Sequence, residues 1–221
     1  MINDNFLKIQ NGGFEIESGS LSYTVTYSSK YRGFSIKADK VKGYGIITEI
    51  MRPIIEQVQA LVGKYRRVTV LRFDGHFPVS WITNRKLENT LVSRFLKSLR
   101  RTLKASKWKS HKDIIYGWVY EIGSNNGRPH YHFFIGFEAR YKRLGRYSGQ
   151  GSSGVYGAIE SCWKRIVGGH VHHAGAHFIK SEEPARLNDC IDHLSYMAKV
   201  RDKQFGMGST AKNYSLSRLQ I

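Results

Sequence analysis

The chain has 221 residues, 41% of them hydrophobic, which is enough for a real core and too many for a disordered protein. Its formal net charge of +18, spread along the chain, calls for a polyanionic partner and puts nucleic acid ahead of an anionic membrane surface. No apolar run is long enough to span a membrane, the first residues lack a signal-peptide pattern, and the two cysteines, Cys162 and Cys190, make no disulfide framework, so a reducing cytoplasm is the expected home.

Residues 1–47 are rich in Gly, Ser, Tyr and Lys and read as an N-terminal arm or small β extension. Leu21 to Tyr27 alternates like a strand, with Phe34 to Lys37 as its expected partner. From Thr48 to Val62 the apolar positions follow helical spacing, and Gly63 is the expected stop. Arg67 to Asp74 reads as a central strand. Lys86 to Lys107 reads as a helix with a leucine-rich stripe and a basic face of Arg94, Lys97, Arg100, Arg101 and Lys104. As a group these five are expected to contact phosphates.

Asp113 to Ile122 is another strand. Gly123 to Pro129 has turn chemistry, and the next strand begins at His130. Residues 140–154 form a basic Gly/Ser-rich loop, followed by a helix from Val155 that Gly168 and Gly169 end. His170 to Lys180 is one more strand. Pro184 opens a helix expected to run to about Val200, and residues 204–209 read as irregular. The core order, with the last helix set aside, is βαββαβ: an α+β, ferredoxin-like sandwich on a central antiparallel sheet, with extra helices, the N-terminal β-rich arm (1–47) preceding a domain of residues 48–221.

The chemistry gathers around His130-Tyr131-His132. Strand positions two apart share a face, so both imidazoles project together. Folding the hairpin about Asn125 and Asn126 sets Glu121 opposite His130 on that face, whereas a one-residue slip sends it to the other. Two imidazoles and one carboxylate suit Zn, Mn or another first-row ion, and Mg where waters and substrate oxygens complete the shell. Asp74 and His76 read first as residues that close the strand, with an outer ring of contacts around the site as their second reading. Tyr196 and Lys199 fall on one helical stripe with Asp189 and Asp192. Spacing alone leaves Tyr196 one of thirteen tyrosines and Lys199 a surface lysine. The dense stretch His170 to His177 repeats the alternating spacing without a nearby carboxylate, and it reads as DNA contact or strand surface ahead of a second metal site.

Taken in order, a hydrophobic strand (Val68 to Phe73), a histidine–hydrophobe–histidine strand (His130 to His132) and a tyrosine with lysine three residues on (Tyr196, Lys199) resemble the three motifs of the HUH endonucleases. The likeness covers about residues 48–210 and is greatest to the rolling-circle replication initiators of filamentous phages and their integrated relatives. It implies a single-tyrosine nickase and ligase of single-stranded DNA, in open strands or an origin hairpin, in a bacterial cytoplasm alongside host helicase and polymerase. It also implies a Mg or Mn ion (Zn possible) on Glu121, His130 and His132, Tyr196 as nucleophile through a 5′-phosphotyrosyl link, and Lys199 beside the phosphate. A second tyrosine one turn away is missing, and so is an ATP-binding loop. A transposase or relaxase of the same class, a non-catalytic nucleic-acid binding module and a zinc-dependent hydrolase are the competing readings.

Overall fold

The computed structural model describes residues 7–10, 13–18, 21–105, 113–123, 127–139, 144–147, 151–201, 203 and 212–219. The middle of the 123–129 turn, much of the 140–154 loop and the 204–209 tail lie outside them. The N-terminal part contains β1 (Leu7–Gln10), β2 (Gly13–Ser18), β3 (Leu21–Thr26), β4 (Lys30–Tyr31), β5 (Phe34–Ser35) and β6 (Ile46–Ile47). α1 (Thr48–Lys64) follows, then β7 (Arg67–His76), α2 (Arg85–Lys104), β8 (Ile114–Ile122), β9 (Pro129–Glu138), α3 (Gly154–Val167) and β10 (His170–Lys180). α4 (Pro184–Ser195), a 3₁₀ turn at Tyr196–Ala198 and β11 (Tyr214–Leu216) complete the order.

The central sheet runs β10-β7-β9-β8-β11, antiparallel throughout. Without β11 this is the strand arrangement of a βαββαβ sandwich, with α2 and α3 as the two crossovers. The sheet is covered on both faces. Phe73, Phe133, Phe95 and Trp163 pack between it and α2 and α3. Val68, Val70, Val119 and Phe134 pack against α1, α4 and the N-terminal residues Tyr23, Val25, Ile46 and Ile47. Double coverage explains why β7 and β9 are buried along nearly their whole length, Arg72 and His132 included.

Several local expectations change. β3 pairs with β2 and β6, while Phe34–Ser35 pairs with Lys30–Tyr31. Arg32 and Gly33 both have positive φ (51° and 85°), the conformation of a tight two-residue hairpin, so this segment folds back on its immediate neighbour. α1 continues through Gly63 to Lys64. α2 stops at Lys104, because its cap, Ala105, is extended. The largest change is at α4, which ends at Ser195. Tyr196 begins the 3₁₀ turn, and Lys199 is already extended and bridges to Ile46. Tyr196 and Lys199 therefore do not share a helical stripe.

One close approach aligns the sheet ends. Gly169 sits where α3 returns to β10, and a Cβ built there lies 1.8 Å from the His76 carbonyl oxygen. That neighbour is backbone and has little room to yield. Gly169→Ala is expected to lose about 2–3 kcal/mol in urea unfolding. An unchanged midpoint would show that the turn can be remodelled freely.

Candidate functional site

The hairpin register is the expected one: Glu121 pairs with His130, and Val119 with His132. Hydrogen bonds from Gly123 N to Arg128 O (3.0 Å) and Gly127 N to Gly123 O (2.8 Å) close it. Positive φ at Gly127, 63°, fits a turn that brings the strands back this tightly. Cross-strand partners share a face, so Glu121, His130 and His132 stand together as the spacing required.

One donor atom from each of Glu121, His130 and His132 falls within 4.8 Å of the others, and this is the only group of three such residues among those described. Glu121 Oε2 lies 2.8 Å from His132 Nε2 and 3.5 Å from His130 Nε2. Two donors bound to one ion at roughly 2.1 Å stand about 3–3.5 Å apart, so these edges match a shared first-row ion. Behind the cluster, His132 Nδ1 meets Asp74 Oδ1 at 2.6 Å. An imidazole whose far nitrogen is held by a carboxylate presents the near one for ligation. The residues present therefore fit a divalent metal, and His132 has the second contact that such ligands carry.

The electrostatics agree with a crowded charged centre. Burial opposes charge on Glu121, but the imidazoles of His130 and His132 and the Lys203 ammonium outweigh it and hold its carboxyl well below the usual range. Burial likewise opposes charge on Asp74 and on His132. Their mutual hydrogen bond outweighs it, lowering Asp74 and raising His132. A divalent ion held here would add positive charge beside Glu121 and Asp74.

Asp74→Asn removes the carboxylate charge that orients His132. It is expected to weaken Mn binding about 10- to 100-fold in a calorimetric titration. Unchanged affinity would mean that Asp74 only closes the strand.

Sequence reasoning weighed Asp74 and missed Arg72 and Lys203. Arg72, on the same strand and face as Asp74, is buried. Its guanidinium lies 3.4 Å from each of Asp74 Oδ1, His132 Nδ1 and His193 Nε2. It also covers the Tyr196 ring at 4.3 Å. Alternation from Asp74 along β7 was a signal for it. Lys203 Nζ contacts Glu121 Oε1 at 2.5 Å, with the side chain only 1% exposed. Nothing in the glycine-rich sequence around it pointed there.

Tyr196 stands edge-on to His132, ring centroids 5.5 Å apart. Lys199 Nζ lies 4.4 Å from the Tyr196 ring and 4.9 Å from the Tyr44 ring. Lys199 reaches Tyr196 because the chain leaves the helix: an extended backbone at 199 and a Val200 N–H to Gly45 O bond (3.0 Å) turn it across the ring. Glu121, Tyr196, Lys199, Arg201 and Tyr44 line one cleft of about 220 Å³.

The remaining histidines separate by strand parity. His76, His170, His172 and His177 share the face of the cluster, with His177 Nε2 2.8 Å from His193 Nδ1 on α4. A bulge between His173 and Gly175 resets the alternation. His173 points to the opposite face, 3.2 Å from Glu160 and between the rings of Tyr147 and Tyr156. The stretch thus builds no second metal cluster among the described residues.

No helix among the described residues is long and apolar enough to cross a membrane. No curated protein and no solved structure matches the chain. The family described as the YagK/YfjJ C-terminal domain matches residues 29–214, most of the chain, a span that includes Glu121, His130 and His132 and both Tyr196 and Lys199. The chain belongs to the YagK/YfjJ C-terminal domain family.

Proposed function

We propose that the protein is a metal-dependent endonuclease and strand transferase of the HUH type, acting on single-stranded DNA through Tyr196 to start rolling-circle replication of a phage or mobile element. The observation that carries this reading is the cleft in which Glu121, the carboxylate of the candidate metal cluster, and a tyrosine, Tyr196, face the same space. A zinc hydrolase has no use for that tyrosine. A bare binding module has no use for two imidazoles and a carboxylate gathered in a largely buried cluster and backed by Asp74.

A divalent ion on Glu121, His130 and His132, Mg or Mn by preference, would polarise the scissile phosphate. The residues of the chain account for the rest. The Tyr196 hydroxyl attacks phosphorus in line, forming the O–P bond of a 5′-phosphotyrosine, while its proton passes to water. The P–O3′ bond breaks, and the departing 3′ oxygen takes up a proton to become a free hydroxyl. Arg72 and Lys199, on the tyrosine ring at 4.3 and 4.4 Å, offset negative charge developing on the phenolic oxygen and phosphate. The 3′ hydroxyl can prime synthesis or attack the phosphotyrosine and rejoin the strand. The same chemistry serves a transposase or relaxase, and the replication role rests on the resemblance to phage initiators.

The test is incubation of the protein with end-labelled single strands, hairpins included, in Mn or Mg, followed by a denaturing gel. A slow covalent band that EDTA abolishes is the expected result. Single-strand binding without cleavage on varied substrates would favour the binding module.

The basic charge gives a separate expectation. If phosphates dominate the contact, affinity for single strands should fall roughly 100-fold or more between about 50 and 200 mM salt. A salt-insensitive complex would overturn the reading of the +18 charge as a nucleic-acid surface.

A further inference from the structure

His130, His76 and His170 form a row across three neighbouring strands, because the register pairs His76 with both of the others. Their rings stack. Centroids are 5.6 Å and planes 20° apart for His130 on His76, and 4.7 Å and 12° for His76 on His170. These intervals are close to the spacing of strands in a sheet, so the sheet itself sets the stack. Gly169 holds the far end in place through its contact with the His76 backbone.

The row begins at a candidate metal ligand and ends on an edge strand. β10 has no further strand beyond it among the described residues, and His170 is exposed. A flat ring placed between two others needs about 7 Å, twice a van der Waals contact, so nothing inserts within the row. The outer face of His170 is left as its open π-surface.

We propose that an unpaired nucleobase stacks on the outer face of His170, anchoring a nucleotide that flanks the phosphate at the metal centre. The inference rests on the nuclease reading for the identity of the strand. The row provides what such a base needs: a flat face backed by two stacked rings, roughly 10 Å, or two strand spacings, from the ligands. The +18 chain attracts the backbone that carries the base. Stacking of this kind tolerates any base, since every base has a π-face, and it suits a contact beside a cut site more than a sequence reader.

The test uses the full chain with Tyr196→Phe, so that bound strands stay intact, and oligothymidylate carrying one 2-aminopurine walked along its length. Emission should be quenched at one position. His170→Ala should abolish that quench and weaken binding about tenfold, and His170→Trp should restore both. An unchanged quench and affinity in His170→Ala, or His170→Trp as weak as His170→Ala, overturns the proposal. His170 is exposed, so neither change threatens the fold, and coincident thermal melts confirm that the proteins compared are folded. The two readings fail separately. A covalent adduct from the parent chain with an unmoved quench rejects the stacking site alone. A quench that depends on His170 with no adduct from the parent chain rejects the nuclease alone.

Discussion

Replacing Tyr196 with phenylalanine should abolish the covalent protein–DNA band, a loss of at least about 10³-fold in adduct formation. The change removes one oxygen and leaves the ring. The ring holds the packing: it stands edge-on to His132 and carries Arg72 and Lys199 on its faces. Metal binding and the melting temperature should therefore stay close to those of the parent, which separates lost chemistry from lost structure. Each other outcome points elsewhere. An adduct that survives would move the nucleophile, with Tyr214 next in order. Tyr214 is a poorer candidate, since burial and the Glu49 carboxylate push its hydroxyl pKa up. Cleavage that continues without any adduct would make water the attacking group, and Tyr196 would become a contact for the strand.

Lys199→Met gives a graded comparison, because Arg72 remains on the ring when the ammonium is gone. Two cations share the same ring, so neither alone should carry the whole effect, and the double change should exceed the sum of the single ones.

The clustering of Glu121, His130 and His132 was legible because these residues are close in sequence and obey a simple parity. Glu121 and His130 are nine residues apart across one short turn, and a period of two puts His132 on the same face as His130. The βαββαβ order was legible for a related reason. Its strands are buried on both sides and its helices carry clear apolar stripes, so each element announces its type. Tyr196 was placed in the right neighbourhood through the wrong local structure. Apolar spacing from Leu187 to Ala198 continues past the true end of α4, and periodicity cannot register the point at which backbone hydrogen bonding passes to a 3₁₀ turn and an extended Lys199. The pairing of that extended segment with Gly45 and Ile46 turns Lys199 toward Tyr196, and it is a contact between distant parts of the chain. Lys203 and β11 were missed on the same account. Each gains its position from β8 and not from its own neighbours in sequence.

Glu121→Ala should have the largest effect on the fold and on the metal together. The carboxylate touches both imidazoles and takes the Lys203 ammonium on its other oxygen. Its removal takes one candidate ligand from the cluster and the nearest counter-charge from a lysine whose side chain is 1% exposed. Breaking a buried ion pair from one side costs about 3–5 kcal/mol, because the remaining charge keeps its desolvation penalty. Unfolding in urea should show a loss of that size, and Mn should no longer raise the melting temperature. Stability and ligation can then be separated with Glu121→Ala/Lys203→Met. The second change removes the stranded ammonium, so much of the stability should return, while the response to Mn should not. If the double variant regains both, Glu121 is a structural partner of Lys203 and the ion, if any, sits elsewhere. If the single variant still binds Mn as the parent does, Glu121 is no ligand, and the arrangement of His130 and His132 must be explained as strand packing around a salt bridge.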